Sequence, residues 1–275
     1  MSSMQSSDVQ AQLQATVPKR IIARLDVKNG RVVKGIMMEG VQAVGDPIEM
    51  SIRYYQQGAD ELILLDTVAS LYQRLELPHI ISEIVHDIFI PVCAGGGITS
   101  CQDAERLFFS GADKICVNTA AVHNPQLLMQ LSREFGAQSV VLQLDARFLK
   151  GKWRVFYNSG RDMSELDVAE WLDIAQSSGI GEVLVTSIEK DGTGRGPDLP
   201  LIDLVKEHVR VPIIYGGGVS QLGHIEEILA HRRIAAVALA SYLHIDRADL
   251  NRIKLDLNAK GIPVRGNFHN ETRRD

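Results

Sequence analysis

Two aspartates in similar sequence surroundings are the first candidates for chemistry. Asp26 ends the apolar run Ile21–Asp26, and Asp145 ends the run Ser139–Asp145, about 120 positions further along the chain. Two carboxylates in different surroundings can hold different pKa values and so divide the roles of general acid and general base. A carboxylate at a strand end can instead cap the next loop, and we assign that structural role to Asp66. We predict that Asp26 and Asp145 form an acid–base pair.

Two glycine triplets, Gly95–Gly97 and Gly216–Gly218, also recur about 120 positions apart, each directly after an apolar run. Successive glycines let the backbone approach an anion closely, and their N–H groups add to the dipole of the following helix. Tight turns also use glycine, so one triplet alone is a weak signal. Their repetition suits a long substrate with a phosphate at each end, which predicts two phosphate sites.

These residues must be positioned by eight short apolar runs that alternate with helical patterns. Strict alternation predicts a parallel sheet with helical crossovers, and eight repeats in about 250 residues predict closure into a (β/α)8 TIM barrel. We place the barrel at residues 19–265, between a disordered N-terminal extension (1–18) and a polar C-terminal tail (266–275). The predicted strands are Ile21–Asp26, Glu61–Asp66, Ile90–Ala94, Lys114–Asn118, Ser139–Asp145, Glu182–Ser187, Val211–Tyr215 and Ala235–Ala240.

The nearly constant offset between matching segments predicts a two-fold repeat of half-barrels. It places Asp26 and Asp145 in strands one and five, on opposite sides of the barrel. Active sites of such barrels lie at the carboxyl ends of the strands. The two carboxylates are therefore expected to converge on one pocket from opposing walls.

Composition excludes several classes of function. A net charge of −5 argues against a nucleic-acid-binding surface, and no apolar run reaches the length of a membrane span. Three cysteines (Cys93, Cys101, Cys116) and a polar N-terminus favour a cytoplasmic protein with reduced thiols. The eight histidines form no short-spaced group with cysteine, so we expect no metal and no cofactor.

The motifs together resemble a known family, the cyclase subunit of imidazole glycerol phosphate synthase, over about Lys19 to Arg265. The segments that carry the resemblance are Ile21–Gly35, Gly45–Pro47, Gly111–Lys114, Val117–Ala121 and Thr186–Thr193. The resemblance implies a two-fold repeated barrel of histidine biosynthesis. Such a cyclase closes an imidazole ring on a phosphorylated ribulosyl carboxamide nucleotide. It takes ammonia from a glutaminase partner and releases an aminoimidazole carboxamide ribonucleotide.

The resemblance also implies roles for matched residues. Asp26 and Asp145 match the two catalytic aspartates, with Asp145 favoured as the general base. The matched substrate-binding residues are Lys34, Ser159, Thr186 and Asp191. The matched phosphate-binding residues are Gly96, Gly97 and Thr119 at the first site and Gly217, Gly218 and Ser241 at the second.

Four strand-initial charges, Arg20, Glu61, Lys114 and Glu182, are expected at the opposite end of the barrel. From sequence alone they are either solvated or a salt-bridged ring. The resemblance implies that this ring is an ammonia entrance. It also implies a heterodimer in which the glutaminase docks on the N-terminal face, with Asp113 as a contact residue.

Arg24 departs from the family pattern, which has a small residue at this position. Side chains two apart on a strand face the same way, so Arg24 points inward with Asp26, and Gln143 points inward with Asp145. A buried arginine needs a carboxylate partner, here Asp26 or Glu61. We hypothesise that Arg24 narrows the ammonia passage or reshapes the pocket for a different substrate.

Three alternatives to the histidine-pathway cyclase stay open. One is a paralogue that, with its own glutaminase-like partner, aminates another phosphorylated or nucleotide-linked sugar. Another is the related isomerase of the same pathway. The third is a non-catalytic barrel that serves as a partner-binding subunit.

Overall fold

The computed structural model describes residues 17–69 and 77–266. The predicted N-terminal extension and C-terminal tail lie almost entirely outside the described residues and stay predictions.

The described chain contains a closed barrel of eight parallel strands, which confirms the predicted TIM barrel. The eight strands pair in the order in which they follow one another along the chain, and the last strand returns to pair with the first. All eight predicted strands are present. Their bounds are Arg20–Lys28 (β1), Glu61–Asp66 (β4), Val92–Gly95 (β5), Lys114–Val117 (β6), Val140–Leu149 (β7), Glu182–Ser187 (β10), Ile213–Gly216 (β11) and Ile234–Leu239 (β12).

Two hairpins that the sequence did not suggest extend the barrel at its carboxyl end. β1 runs into β2 (Arg31–Ile36) and β3 (Glu39–Gly45), and β7 runs into β8 (Lys152–Tyr157) and β9 (Asp162–Asp167). These antiparallel pairings carry β1 and β7 beyond their predicted ends at Asp26 and Asp145. Equivalent hairpins after strands one and five of the barrel support the half-barrel repeat.

Ten helices surround the strands in the described residues. Several begin at side-chain caps that satisfy free backbone N–H groups: Asp46 accepts from Ile48 and Glu49, and Asp167 forms a capping box with Glu170. The helices are Pro47–Gln56 (α1), Leu77–Ile84 (α2), Cys101–Phe109 (α3), Thr119–His123 (α4), Gln126–Phe135 (α5), Val168–Ser177 (α6), Leu199–His208 (α7), Leu222–Leu229 (α8), Ser241–His244 (α9) and Leu250–Ala259 (α10). No helix within these ranges is long and apolar enough to span a bilayer.

The barrel interior is a packed apolar core rather than an open pore. Inward residues form one buried cluster that is separate from the larger core between strands and helices. Its members include Ile22, Ile63, Cys93, Cys116, Val141, Leu184, Ile214 and Ala236. This apolar layer lies between a charged floor at the strand starts and a polar mouth at the strand ends.

Candidate active site

A cavity of about 350 Å³ opens at the carboxyl end of the strands. Asp26 and Asp145 both line it, although they belong to strands on opposite sides of the barrel. The inward-facing residues Arg24 and Gln143 line it as well. The cavity therefore contains both carboxylates and the side chains predicted to lie beneath them.

Asp26 is surrounded by cations. Its Oδ1 accepts a 2.9 Å hydrogen bond from Arg24 Nε, and its Oδ2 lies 3.7 Å from Lys34 Nζ. Burial by itself raises the pKa of this carboxyl. The charges of Arg24 and Lys34 outweigh that effect and hold the pKa of Asp26 below its usual value. Asp26 is therefore a stable carboxylate.

Asp145 is surrounded by amides. Its Oδ2 accepts hydrogen bonds from Asn118 Nδ2 at 2.9 Å and from Gln143 Nε2 at 3.0 Å. Its Oδ1 is buried without a hydrogen-bond partner. Burial, with smaller contributions from Asp26 and Asp191, raises the pKa of Asp145 to about 6, against the opposing charge of Arg24. Asp145 can therefore gain and lose a proton close to neutral pH.

The first predicted phosphate site lies on the wall of this cavity. Gly96, Gly97 and Thr119 all line it. Gly96 has a φ of +103°, and a Cβ built there would lie 2.3 Å from the Asp66 carbonyl oxygen, so only glycine fits. The Thr119 hydroxyl accepts a hydrogen bond from the backbone N–H of Asn158.

Two cavity residues at this end carry positive or titratable side chains that sequence reasoning missed. Arg161 and His123 line the same cavity as the first glycine pair. Arg161 donates to the Asn158 carbonyl, and the His123 ring packs edge-on against Tyr157, with ring centroids 4.7 Å apart. Arg161 lies in a short connection between β8 and β9, and without knowledge of that hairpin its sequence position carried no signal.

The second predicted phosphate site does not line this cavity. Gly218 instead accepts a 2.8 Å hydrogen bond at its carbonyl from the Gly196 N–H. Ser220 donates to the Gly194 carbonyl, so the segment after β10 is fastened over the second glycine pair. Gly217 and Ser241 are likewise absent from the lining.

The matched substrate residues fall into two groups. Lys34, Ser159 and Asp191 line the cavity. Lys34 Nζ bonds both carboxylate oxygens of Asp191, at 2.7 and 2.8 Å, and thereby joins the first hairpin to the segment after β10. Ser159 donates to the Thr67 carbonyl. Thr186 is fully buried beneath the cavity, where its hydroxyl accepts from Arg24.

Arg24 takes Asp26 as its carboxylate partner rather than Glu61. The Asp66 carboxylate caps the turn after β4 by accepting from the N–H groups of Val68 and Ala69, as its structural assignment requires. Among the described residues no group of three or more histidine, cysteine, aspartate or glutamate side chains is placed to hold a metal ion.

The four charges at the floor form a closed salt-bridged ring. Arg20 bonds Glu61 at 2.6 Å and also bonds Glu182. Lys114 bonds Glu61 at 3.0 Å and Glu182 at 2.9 Å. Asp113 is exposed beside this ring, where its carboxylate accepts from the Val92 N–H. The ring alternates in sign, so each charge has two opposite neighbours.

A TIM barrel whose carboxyl end holds two opposed carboxylates in a glycine-lined cavity has the architecture of a TIM-barrel enzyme. Sequence comparison then gives the family. A family model described as "Histidine biosynthesis protein" matches residues 20–249. The chain is 46% identical over 204 residues to the imidazole glycerol phosphate synthase subunit HisF of Legionella pneumophila, covering 74% of this chain and 96% of the relative.

Two further relatives carry the same name. The HisF subunit of Helicobacter hepaticus is 41% identical over 251 residues, which are 91% of this chain and 99% of the relative. That of Pyrobaculum aerophilum is 42% identical over 251 residues, which are 90% and 99%. The chain belongs to the HisF family of imidazole glycerol phosphate synthase subunits.

Proposed function

We propose that this chain is the cyclase subunit of an imidazole glycerol phosphate synthase and that Asp26 and Asp145 carry its chemistry. The supporting observation is that two carboxylates with opposite electrostatic surroundings open into one cavity beside a glycine cradle. The substrate is the phosphorylated ribulosyl carboxamide nucleotide of histidine biosynthesis, and ammonia is the nitrogen donor. The products are imidazole glycerol phosphate, the aminoimidazole carboxamide ribonucleotide and one water, which carries away the oxygen of the ribulosyl carbonyl.

The two carboxylates divide the proton chemistry. Asp145 removes a proton from the attacking amine and returns it to the departing aminoimidazole carboxamide group, because its pKa is close to the working pH. Its unpartnered Oδ1 is the oxygen free to make that contact. Asp26 stays anionic as the second member of the pair. It stabilises the positive charge that forms on the nitrogen before the proton leaves.

The glycine cradle holds one phosphate of the substrate. Gly96, Gly97 and Thr119 supply neutral donors, and Arg161 supplies a cation at the rim of the cavity. The second phosphate binds at Gly217, Gly218 and Ser241 after the segment that follows β10 has moved. Such a movement breaks the hydrogen bonds of Gly196 to Gly218 and of Ser220 to Gly194, and it loosens the Lys34–Asp191 pair that holds the same segment.

A glutaminase subunit docks on the N-terminal face in this proposal. The salt-bridged ring of Arg20, Glu61, Lys114 and Glu182 is then the ammonia entrance, and Asp113 beside it is a contact residue. The names of the relatives identify them as subunits, which agrees with a partnered protein.

A direct assay tests this function. When the purified chain is mixed with ammonium and the ribulosyl nucleotide, turnover should appear as a decrease in the absorbance of the substrate. Asp145→Asn should lower kcat by about 100-fold or more, because the variant cannot transfer the proton. Asp66→Asn is the matched control, because Asp66 lines the same cavity but caps a turn; its kcat should stay within a few-fold of wild type. Tight nucleotide binding without turnover would favour a non-catalytic subunit.

One observation favours a second candidate, the amination of another phosphorylated or nucleotide-linked sugar. The cavity reaches only one of the two glycine pairs, and Arg24 occupies the side of the barrel toward the other pair. A substrate with a single phosphate would fit this arrangement without movement. Failure of the ribulosyl nucleotide to bind at all would favour this candidate over the histidine-pathway cyclase.

A further inference from the structure

Arg24 is fixed at three points inside the barrel. Its Nε donates to Asp26 Oδ1 at 2.9 Å, and its Nη1 donates to Thr186 Oγ1 at 2.9 Å. Its backbone carbonyl accepts a 2.9 Å hydrogen bond from His244 Nε2. The residue is only 5% exposed, so these contacts are made out of water, where charge-assisted hydrogen bonds are strong.

The Thr186 contact connects Arg24 to the strand pair that carries Asp145. Thr186 and Asp145 are direct partners across the β7–β10 ladder. β1 and β10 are separated by two strands on one side of the barrel and four on the other. The guanidinium therefore spans the interior and joins the strand of Asp26 to the immediate neighbour of Asp145.

The barrel wall provides room for this crossing. β11 contributes Gly216 at this level, and a Cβ added there would lie 3.7 Å from Arg24 Nη1. β12 contributes Ala238, which belongs to the interior cluster. Two small residues thus lie along the path of the long side chain between β1 and β10, and a larger residue at Gly216 would compete with the guanidinium for space.

The other charged and titratable groups that face Asp26 do not take the role of Arg24 in keeping the Asp26 carboxylate ionised and in place. Lys34 on β2 lies 3.7 Å from the Asp26 carboxylate and makes shorter bonds to Asp191. His244 on α9 donates to the Arg24 carbonyl with Nε2, and burial lowers its pKa to about 4, so near neutral pH it is a neutral ring. Asp145 on β7 and Asp191 after β10 are themselves acids that disfavour a second negative charge.

We propose that Arg24 is a positioning residue of this active site: tied to Thr186, it fixes the Asp26 carboxylate as a permanent anion at a set position relative to Asp145. This inference rests on the proposed function for its kinetic consequences. Its structural part, the charge and orientation of Asp26, does not depend on which substrate the enzyme uses.

The charge of Asp26 can be measured without substrate. Carboxyl ¹³C NMR of the full chain, with the Asp26 signal assigned through Asp26→Asn, gives its titration midpoint. Removing the cation favours the protonated acid, so Arg24→Met should raise the midpoint by about one pH unit or more. Arg24→Lys keeps the charge and should leave the midpoint within a few tenths of a unit. An unchanged midpoint in Arg24→Met would overturn the proposal.

Kinetics separate positioning from general structural damage. Arg24→Met should lower kcat about 100-fold in the ammonium-dependent assay. It should also move the acid limb of the kcat profile upward, because the Arg24 charge opposes the rise that burial causes in the pKa of Asp145, the general base that sets this limb. Thr186→Val removes only the hydrogen bond between Thr186 and the Arg24 guanidinium. We expect kcat to fall about 10-fold while the titration midpoint of Asp26 stays unchanged. A Thr186→Val enzyme with wild-type kcat would contradict the tether.

A misfolded variant and a wrong proposed function give results that can be told apart. Thr186→Val retains the buried cation, so its kcat still tests the tether if Arg24→Met fails to fold, and a wild-type Asp26 midpoint at or above the ordinary aspartate value would overturn the charge assigned to Asp26. If the wild-type chain does not turn over the ribulosyl nucleotide, the proposed function fails, and the NMR titration still decides the role of Arg24.

Discussion

Asp26 and Asp145 face one cavity from opposite walls, yet Asp26 is bonded by a guanidinium and Asp145 by two side-chain amides. The sequence repeat makes their backbone positions equivalent, and their neighbours make their chemistry different. A cation keeps Asp26 ionised, whereas burial keeps a proton available to Asp145.

Asp145→Asn should stabilise the fold near neutral pH while it abolishes turnover. An acid whose pKa rises to about 6 on folding binds its proton more tightly in the folded state, so its ionisation costs stability as pH rises through that value. Asparagine removes this cost and can still accept from Asn118 and Gln143. We expect a gain of roughly 2 kcal/mol in the free energy of unfolding at pH 7.5.

Urea unfolding at several pH values checks this prediction. The difference in the free energy of unfolding between Asp145→Asn and wild type should shrink toward pH 4. Near that pH Asp145 is protonated in the folded chain and in much of the unfolded population. A variant less stable than wild type at pH 7.5 would show that the Asp145 charge is better compensated than its contacts indicate.

His244 should make the fold acid-sensitive. Burial lowers its pKa to about 4, with its hydrogen bond to the Arg24 carbonyl and the charge of Asp26 opposing the shift. A base with a depressed folded pKa supports the fold above its unfolded pKa and loses that support as pH falls toward 4. We expect this residue alone to contribute a loss of roughly 3 kcal/mol between pH 7 and pH 4.

His244→Gln provides the measurement. A glutamine amide can donate to the Arg24 carbonyl but does not titrate, so the melting temperature of the variant should depend less on pH between 4 and 7 than that of wild type. His79→Gln is the matched control, because His79 is exposed on α2 and forms only a surface pair with Glu83, a kind of contact that contributes little to stability. Equal slopes in wild type and His244→Gln would contradict the prediction.

Arg24→Cys should change the source of the nitrogen in the glutaminase complex. The guanidinium crosses the interior between the apolar layer and the cavity, so it would obstruct the ammonia route that we propose from the floor ring. With unlabelled glutamine and external ¹⁵N-ammonium in competition, the fraction of product nitrogen that comes from glutamine should rise at least several-fold in the variant. This fraction is independent of the absolute rate, which Arg24 also affects.

If the fraction of product nitrogen from glutamine is equal in wild type and Arg24→Cys, Arg24 has no effect on the passage of ammonia. Phe148→Ala on the exposed second hairpin is a suitable control, since it should leave the nitrogen source unaltered.

Glu61→Gln should destabilise the floor of the barrel. Glu61 is almost fully buried and bonds both Arg20 and Lys114, so its neutralisation leaves two cations with only Glu182 between them. Removing one partner from a fully buried ion network costs about 3 kcal/mol. Burial also raises the pKa of Glu61, so glutamine regains part of the desolvation cost of the carboxylate, and the net loss should be smaller than that figure. Urea unfolding should detect this loss, and the double variant Glu61→Gln/Lys114→Met should recover part of it. No recovery in the double variant would show that the pair is not coupled.

The alternation of apolar runs and helical patterns was sufficient to predict the barrel and its repeat. All eight strands were predicted, two of them with the observed bounds, because a buried parallel strand must be apolar and must be followed by a crossover. The hairpins after β1 and β7 were not predicted. Segments such as Lys152–Tyr157 mix charged and aromatic residues without strict alternation, and their pairing depends on the strand beside them.

The sequence by itself determined which residues share the carboxyl end of the barrel, because strand order and a period of two residues fix the direction of Asp26, Arg24, Asp145 and Gln143. Only the tertiary structure decided the partner of Arg24, the different pKa values of the two aspartates and the coverage of Gly218 by Gly196. These depend on distances of a few ångströms between residues far apart in the chain. A local pattern specifies which way a side chain points but not which distant group it meets.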